Sequence, residues 1–269
     1  MNGPFGQIHY REAGSGYPLV LLHQAPSSSE MFAAAYPRLS QMGIRAIGLD
    51  TPGYGMSDLP DHLPSIGDYA DALIYALREL RLAKLALLGH HTGASIAAEI
   101  AVRAPELVQC VILNGPPVMT REERNEYREA LENAPTVEML PDGSHLQQVW
   151  DRRVMFTPGW TQLRAMHSGV IQMLLAGEAY GYAHRAVFDH DVSLPLGKIT
   201  QPGMILTNTG DDIYYAAVRA RALRPDFEYV ELAGGTHDIV DEKPDEWCKT
   251  VAGFVHHHAQ PGGQETRST

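Results

Sequence analysis

A chain of 269 residues, 44% of them hydrophobic, suffices for one full-sized α/β domain and a modest lid, and for little more. Acids outnumber bases 32 to 21, and a formal charge of −11 argues against nucleic acid or an anionic membrane as partner and in favour of a small molecule. Cys110 and Cys248 stand far apart, with neither a disulfide nor a zinc-ligand spacing, and no membrane-length apolar run or basic leader occurs. The expectation is a soluble, cytoplasmic protein with no cofactor and no metal, as a monomer or homodimer.

Along the chain, IHYREAG is followed by PLVLLH (18–23), RAIGLD (45–50), LALLGH (85–90), VQCVILNG (108–115), GMILTNTG (203–210) and FEYVELAGG (227–235). Continuous apolar runs bounded by Gly, Asp or Asn predict strands buried on both faces. Helix starts are read at Ser27-x-x-Glu30 and at Ser65-x-x-Asp68, the latter opening a stripe of Tyr69, Leu73, Leu77 and Leu80. Strand and helix alternate, which predicts a parallel sheet wrapped by helices.

Residues 119–200 break the rhythm with three helical patterns and no strand. They predict a helical lid inserted between a core of 1–118 and 201–258. The polar tail, 259–269, is expected to be disordered, with His256, His257 and His258 at a frayed helix end rather than on a metal.

LLGHHTGAS, residues 87–95, poses the chemical question. A strand, a Gly-flanked turn and a helix of small residues form a G-x-S-x-G nucleophile elbow, yet the central residue is His91. Such a turn projects its central side chain into the cleft above the sheet, and the N–H of Thr92 points at the same spot as half of an oxyanion hole. The N–H of Gln24 is the expected other half.

The chain as a whole resembles the α/β-hydrolase fold family with a helical cap. LLHQAPSSSEMF resembles the oxyanion loop and LDTPGYGMSD the segment after the next strand. GMILTNTGDD resembles the strand that ends in the triad acid, and ELAGGTHDIVDEKPDEW the loop with the triad histidine. The resemblance implies an eight-stranded, mostly parallel sheet with helices on both faces, with His237 as general base and Asp211 as the acid that orients it; Asp212 competes for that role. Two departures matter: Gln24 stands for a glycine, and His91 for the nucleophile.

Neutral imidazole, with a pKa of about 6.5, is already nucleophilic near neutrality. His91 is therefore open to three readings: a nucleophile forming an acyl-imidazole, a general base, or the relic of an inactive site. The expected function is hydrolysis of a small ester, lactone or C–C bond substrate by His91, His237 and Asp211. A lyase or isomerase, or a non-catalytic binder of small ligands, are the alternatives.

His90 is expected to pack beneath the turn. Convergence of His23, His90, His91 and His237 on a metal is disfavoured, because adjacent residues of a sharp turn cannot both face one ion. Arg152 and Arg153 are candidates to clamp a substrate carboxylate, against a solvated face or a salt bridge to an acid of the cap. His23, Tyr214 and Tyr215 are further candidates to line the cleft.

Overall fold

The structure is a computed structural model that describes residues 1–82, 84–133, 139–157 and 159–259. The expected tail beyond 259 lies outside the described residues. Strands β1 (Asn2–Gly3) and β2 (Gly6–Gln7) form a small antiparallel ribbon. Strands β3 (Tyr10–Ala13), β4 (Tyr17–Leu22), β5 (Ile44–Leu49), β6 (Leu85–His90), β7 (Val108–Asn114), β8 (Gly203–Asn208) and β9 (Glu228–Leu232) build the main sheet. Its order is β3-β5-β4-β6-β7-β8-β9, with only the β3–β5 pair antiparallel.

The main sheet thus has seven strands among the described residues, not the eight expected. The chain leaves its ladder at His9, whose N–H donates to Ser57 Oγ and whose carbonyl accepts from Asp50 N–H. The residues before it pair in the separate ribbon instead.

Helices α1 (Tyr36–Gln41), α2 (Ile66–Glu79) and α3 (Thr92–Arg103) follow the early strands. Between β7 and β8 come α4 (Arg121–Glu132), α5 (Ser144–Phe156), α6 (Leu163–Ala176) and α7 (Tyr182–Asp189). The one-turn α8 (Ser193–Leu196) ends the insertion, and it packs on α3 and on α9 (Tyr214–Leu223) of the core. Helices α10 (Ile239–Glu242) and α11 (Pro244–Ala259) are the last elements among the described residues.

The period-two side-chain alternation of a strand decides the layering. Val20 and Leu22 of β4 and Leu85 and Leu87 of β6 share a cluster with Tyr69, Leu73 and Ala97 of α2 and α3. Their neighbours Leu19, Leu21, Ala86 and Leu88 pack on the opposite face with Leu39 of α1 and Trp247 of α11. Buried on both faces, the sheet is a rigid platform for the residues at its strand ends.

Ser65 and Asp68 form the expected capping box, with Asp68 N–H to Ser65 Oγ at 3.1 Å and Ser65 N–H to Asp68 Oδ2 at 2.8 Å. The start read at Ser27 is corrected to Ser28, whose Oγ accepts from Glu30 N–H at 3.2 Å and opens only a short 3-10 turn, Ser29–Phe32. His256 and His258 are not frayed. They sit on α11, where the His256 Nε2–H donates to Met42 O at 2.8 Å and His258 Nε2 lies 3.4 Å from Glu228 Oε1.

Candidate active site

The turn between β6 and α3 is built from its glycines. A Cβ on Gly89 would stand 2.0 Å from Gly93 O, and one on Gly93 would stand 2.2 Å from Leu22 O. His91 between them adopts φ 48°, ψ −108°, a strained region for a residue with a side chain. The turn is pinned by His91 N–H donating to Asn114 O at 2.9 Å. Asn114 is itself fixed, because Trp247 Nε1–H donates to its Oδ1 at 2.7 Å.

The central contact is His91 Nε2 to Asp211 Oδ2, 2.8 Å. Carboxylates only accept, so Nε2 carries the proton and Nδ1 keeps the lone pair. Asp211 is fully buried at the end of β8, and its other oxygen accepts from Ile213 N–H at 3.0 Å. Burial opposes the charge of both partners. The Asp211 carboxylate, reinforced by Asp212 and Asp238, nonetheless holds the His91 imidazole above its ordinary value of 6.5. For Asp211, burial is outweighed by the charge and hydrogen bond of His91 and by the Ile213 N–H, so its carboxyl lies below the ordinary range.

The structure corrects which imidazole Asp211 holds, and it is Asp212 that lies toward His237 Nδ1. Asp211 bonds His91, not His237. His91 occupies Asp211 Oδ2 and the Ile213 N–H occupies Oδ1. His237 stands aside, its ring centroid 6.5 Å from that of His91 and its Nδ1 3.8 Å from Asp212 Oδ1, a carboxylate 62% exposed. His237 Nε2 lies 3.3 Å from Arg153 Nη1 and 3.3 Å from Asp238 Oδ2.

His90 lies under the turn as expected. Its ring stacks on that of His91 at 4.6 Å and 13°, and its Nε2–H donates to His237 O at 3.0 Å. Burial, aided by the neighbouring His91 charge, pushes it down to about 3, so it stays neutral.

A cavity of about 1210 Å³ opens over His91 between core and insertion, with Gln24, Thr92, His237, Arg152 and Arg153 on its walls. The loops of Gln24 and Thr92 are tied by Ala25 N–H to Thr92 Oγ1 at 3.3 Å. Among the described residues the main-chain N–H groups of Gln24 and Thr92 are not used elsewhere.

Three expected cleft residues are not there. His23 is buried off the cavity, its Nδ1–H donating to Gln24 O at 2.9 Å and its Nε2 accepting from Thr51 N–H at 2.9 Å. With both ring nitrogens spent, it shapes the loop instead. Tyr214 turns away, its hydroxyl donating to Glu231 Oε2 at 2.6 Å, and Ile213 lines the cavity in its place. Tyr215 is turned to Tyr127, hydroxyl to hydroxyl at 3.2 Å.

Arg153 is neither a solvated charge nor paired within the insertion. It is buried, its Nη2 2.5 Å from Asp238 Oδ2 of the core, with Trp160 under its guanidinium at 5.1 Å. Arg152 lies 5.7 Å over the Tyr180 ring.

His91, Asp211 and Asp212 bring ligand atoms within 4.8 Å of one another, close enough for a cation. The set fits one poorly, since Asp211 already commits both oxygens to hydrogen bonds. Sequence reasoning missed Asp238, and also Gly115, where a Cβ would stand 2.5 Å from His91 Cδ2. A glycine directly after the apolar run of β7 was the available signal. Among the described residues no helix is long and apolar enough to cross a membrane.

Comparison with known proteins agrees with this architecture. A 2-(acetamidomethylene)succinate hydrolase of Mesorhizobium japonicum is 26% identical over 92% of this chain and 91% of its own. An (E)-2-((N-methylformamido)methylene)succinate hydrolase of Acinetobacter baylyi is 30% identical over 76% of each chain. The solved esterase of Exiguobacterium antarcticum superposes with a TM-score of 0.79 over 95% of this chain and 98% of that one, at 23% identity, a likeness of fold. Residues 17–167 match the family model described as alpha/beta hydrolase fold, and the chain belongs to that family.

Proposed function

We propose that the protein is a cofactor-independent hydrolase of a small ester, lactone or C–C bond substrate, in which the His91–Asp211 pair activates water. The observation that carries this reading is the 2.8 Å bond from His91 Nε2 to a buried carboxylate, which leaves Nδ1 as the basic nitrogen. Nδ1 takes a proton from water as the water oxygen attacks the substrate carbonyl. The N–H groups of Thr92 and Gln24 receive the developing oxyanion. As the tetrahedral adduct collapses, the His91 imidazolium returns the proton to the leaving group, and no covalent enzyme species forms.

The two bacterial relatives are named for hydrolysis of substituted methylenesuccinates. They support hydrolysis of a small molecule as the reaction class here. A second reading, proton transfer in a lyase or isomerase, is favoured by one observation: His91 and His237 face a single cavity with ring centroids 6.5 Å apart.

The test is turnover of p-nitrophenyl acetate and a panel of lactones and vinylogous diketo acids, with rapid quench and mass spectrometry of the enzyme. Hydrolysis that is lost in His91→Ala, with no acyl group trapped on the wild type, is the expected result. An acyl group on His91 would replace water activation by nucleophilic attack, and undiminished hydrolysis in His91→Ala would overturn the assignment.

A further inference from the structure

On the cap side of the cavity, α7 and the turn before it place several rings together. His184 lies between Tyr180, at 6.1 Å and 35°, and Phe188, at 6.5 Å and 32°. Phe188 stacks in turn on Tyr127 of α4 at 5.5 Å and 16°, and all four residues line the cavity. His184 Nδ1 lies 3.3 Å from Tyr180 O. A carbonyl oxygen only accepts, so Nδ1 carries the proton and Nε2 is a lone-pair acceptor. Nε2 makes no hydrogen bond among the described residues. Water activation at His91 does not use this imidazole.

We infer that His184 and its flanking rings form a recognition subsite for a planar aromatic ring bearing an O–H or N–H donor, which donates to His184 Nε2. The inference deepens the hydrolase reading and rests on it for the claim that the bound ring belongs to a substrate. Rings in offset or edge contact present π faces that a flat ligand meets better than a puckered one. Burial and the nearby His91 charge lower the imidazole's basicity from its ordinary 6.5, which favours the acceptor form. A ligand methylated at the donor leaves the nitrogen unsatisfied and adds bulk beside it.

The experiment follows binding of 2-naphthol, 2-methoxynaphthalene and 2-decalol, none of which needs turnover, to the wild type, His184→Phe and His184→Gln. The wild type should bind 2-naphthol about tenfold or more tightly than either of the other two. His184→Phe should bring the naphthol-to-methoxynaphthalene ratio near one, and His184→Gln, which keeps an acceptor, should restore part of it. Equal affinities in the wild type, or a ratio unchanged in a His184→Phe protein of normal melting temperature, would overturn the subsite. A naphthol preference that depends on His184 in a protein that hydrolyses none of the ester panel would sink the hydrolase reading and leave the subsite standing.

Discussion

His91 donates its Nε2 proton to Asp211 across 2.8 Å, and the accepting carboxylate is fully buried at the end of β8. The consequence is a basic imidazole, raised above 6.5 despite burial. A base must be neutral to act, so kcat/KM should rise with pH through that raised value. Asp211→Asn removes the charge that raises it and leaves the burial that lowers it. The rising limb should therefore move to lower pH, and the rate should fall about 100-fold or more. A limb that stays in place would show that the carboxylate is not what supports His91. The pair's contribution to stability is full between 3.8 and 6.5, is lost as pH rises through the raised His91 value, and is lost as pH falls through the lowered Asp211 value.

A serine-directed fluorophosphonate should leave the wild type unlabelled. His91→Ser should not rebuild a serine triad, because His237 Nε2 lies against the Arg153–Asp238 pair and its carbonyl is held by His90. Residual turnover on the order of 1% or less is expected. Wild-type rates in His91→Ser, with labelling at that serine, would mean that His237 swings to Asp211 and that imidazole at position 91 is dispensable.

Gly115, at φ 58°, leaves space that the pair needs. Gly115→Ala puts a Cβ 2.5 Å from His91 Cδ2 and 3.0 Å from Asp211 Oδ2. Stability should drop by about 1–3 kcal/mol from the backbone conformation. The kcat should fall much further than that loss explains, when measured well below the melting temperature. A variant that is less stable but fully active would remove Gly115 from the site.

The Arg153–Asp238 pair joins α5 to the core with both side chains buried. Asp238→Ala strands a guanidinium and should cost about 3–5 kcal/mol in urea unfolding, whereas Arg153→Met with Asp238→Leu should recover much of it. Additive losses in the double variant would show that the two residues are not coupled.

Asp241, on the cavity wall, is pushed up to about 6 from 3.8, first by burial and then by the Asp238 charge. The folded state binds this proton more tightly than the unfolded one, so the carboxylate erodes stability as pH rises between those values. Asp241→Asn should raise Tm at about pH 7.5 and leave it unchanged at about pH 3.5. A gain of equal size at both values would trace the effect to something other than ionisation.

The central strands β4 to β8 were legible because each is a nearly continuous apolar run that stops at a polar or glycine residue, a local signal, whereas the edge strands β3 and β9 carry exposed charged residues. The elbow and Asp211 were legible for the same reason, each lying where such a run stops. What failed was pairing across distance. Asp211 was assigned to His237 by resemblance, but an imidazole at position 91 already fills the approach to that carboxylate. Nothing in the neighbourhood of Arg153 or Asp238 announces their contact, since it depends on how α5 settles over the core. His184 was invisible for the same reason: its chemistry comes from which wall of the cavity α7 forms.

Asn114 joins three parts of the chain. Its carbonyl receives the His91 N–H, its side-chain oxygen receives the indole of Trp247, and its amide reaches Leu206 O at 3.4 Å. A backbone held at φ 48° persists only where its surroundings over-determine it, and one of those surroundings is α11, which is synthesised long after the turn itself. The reactive turn is thus synthesised early and completed late. Until α11 docks and Trp247 reaches Asn114, a nascent chain carries His91 without the full set of contacts that aims it, so aim waits on a helix made much later than the turn.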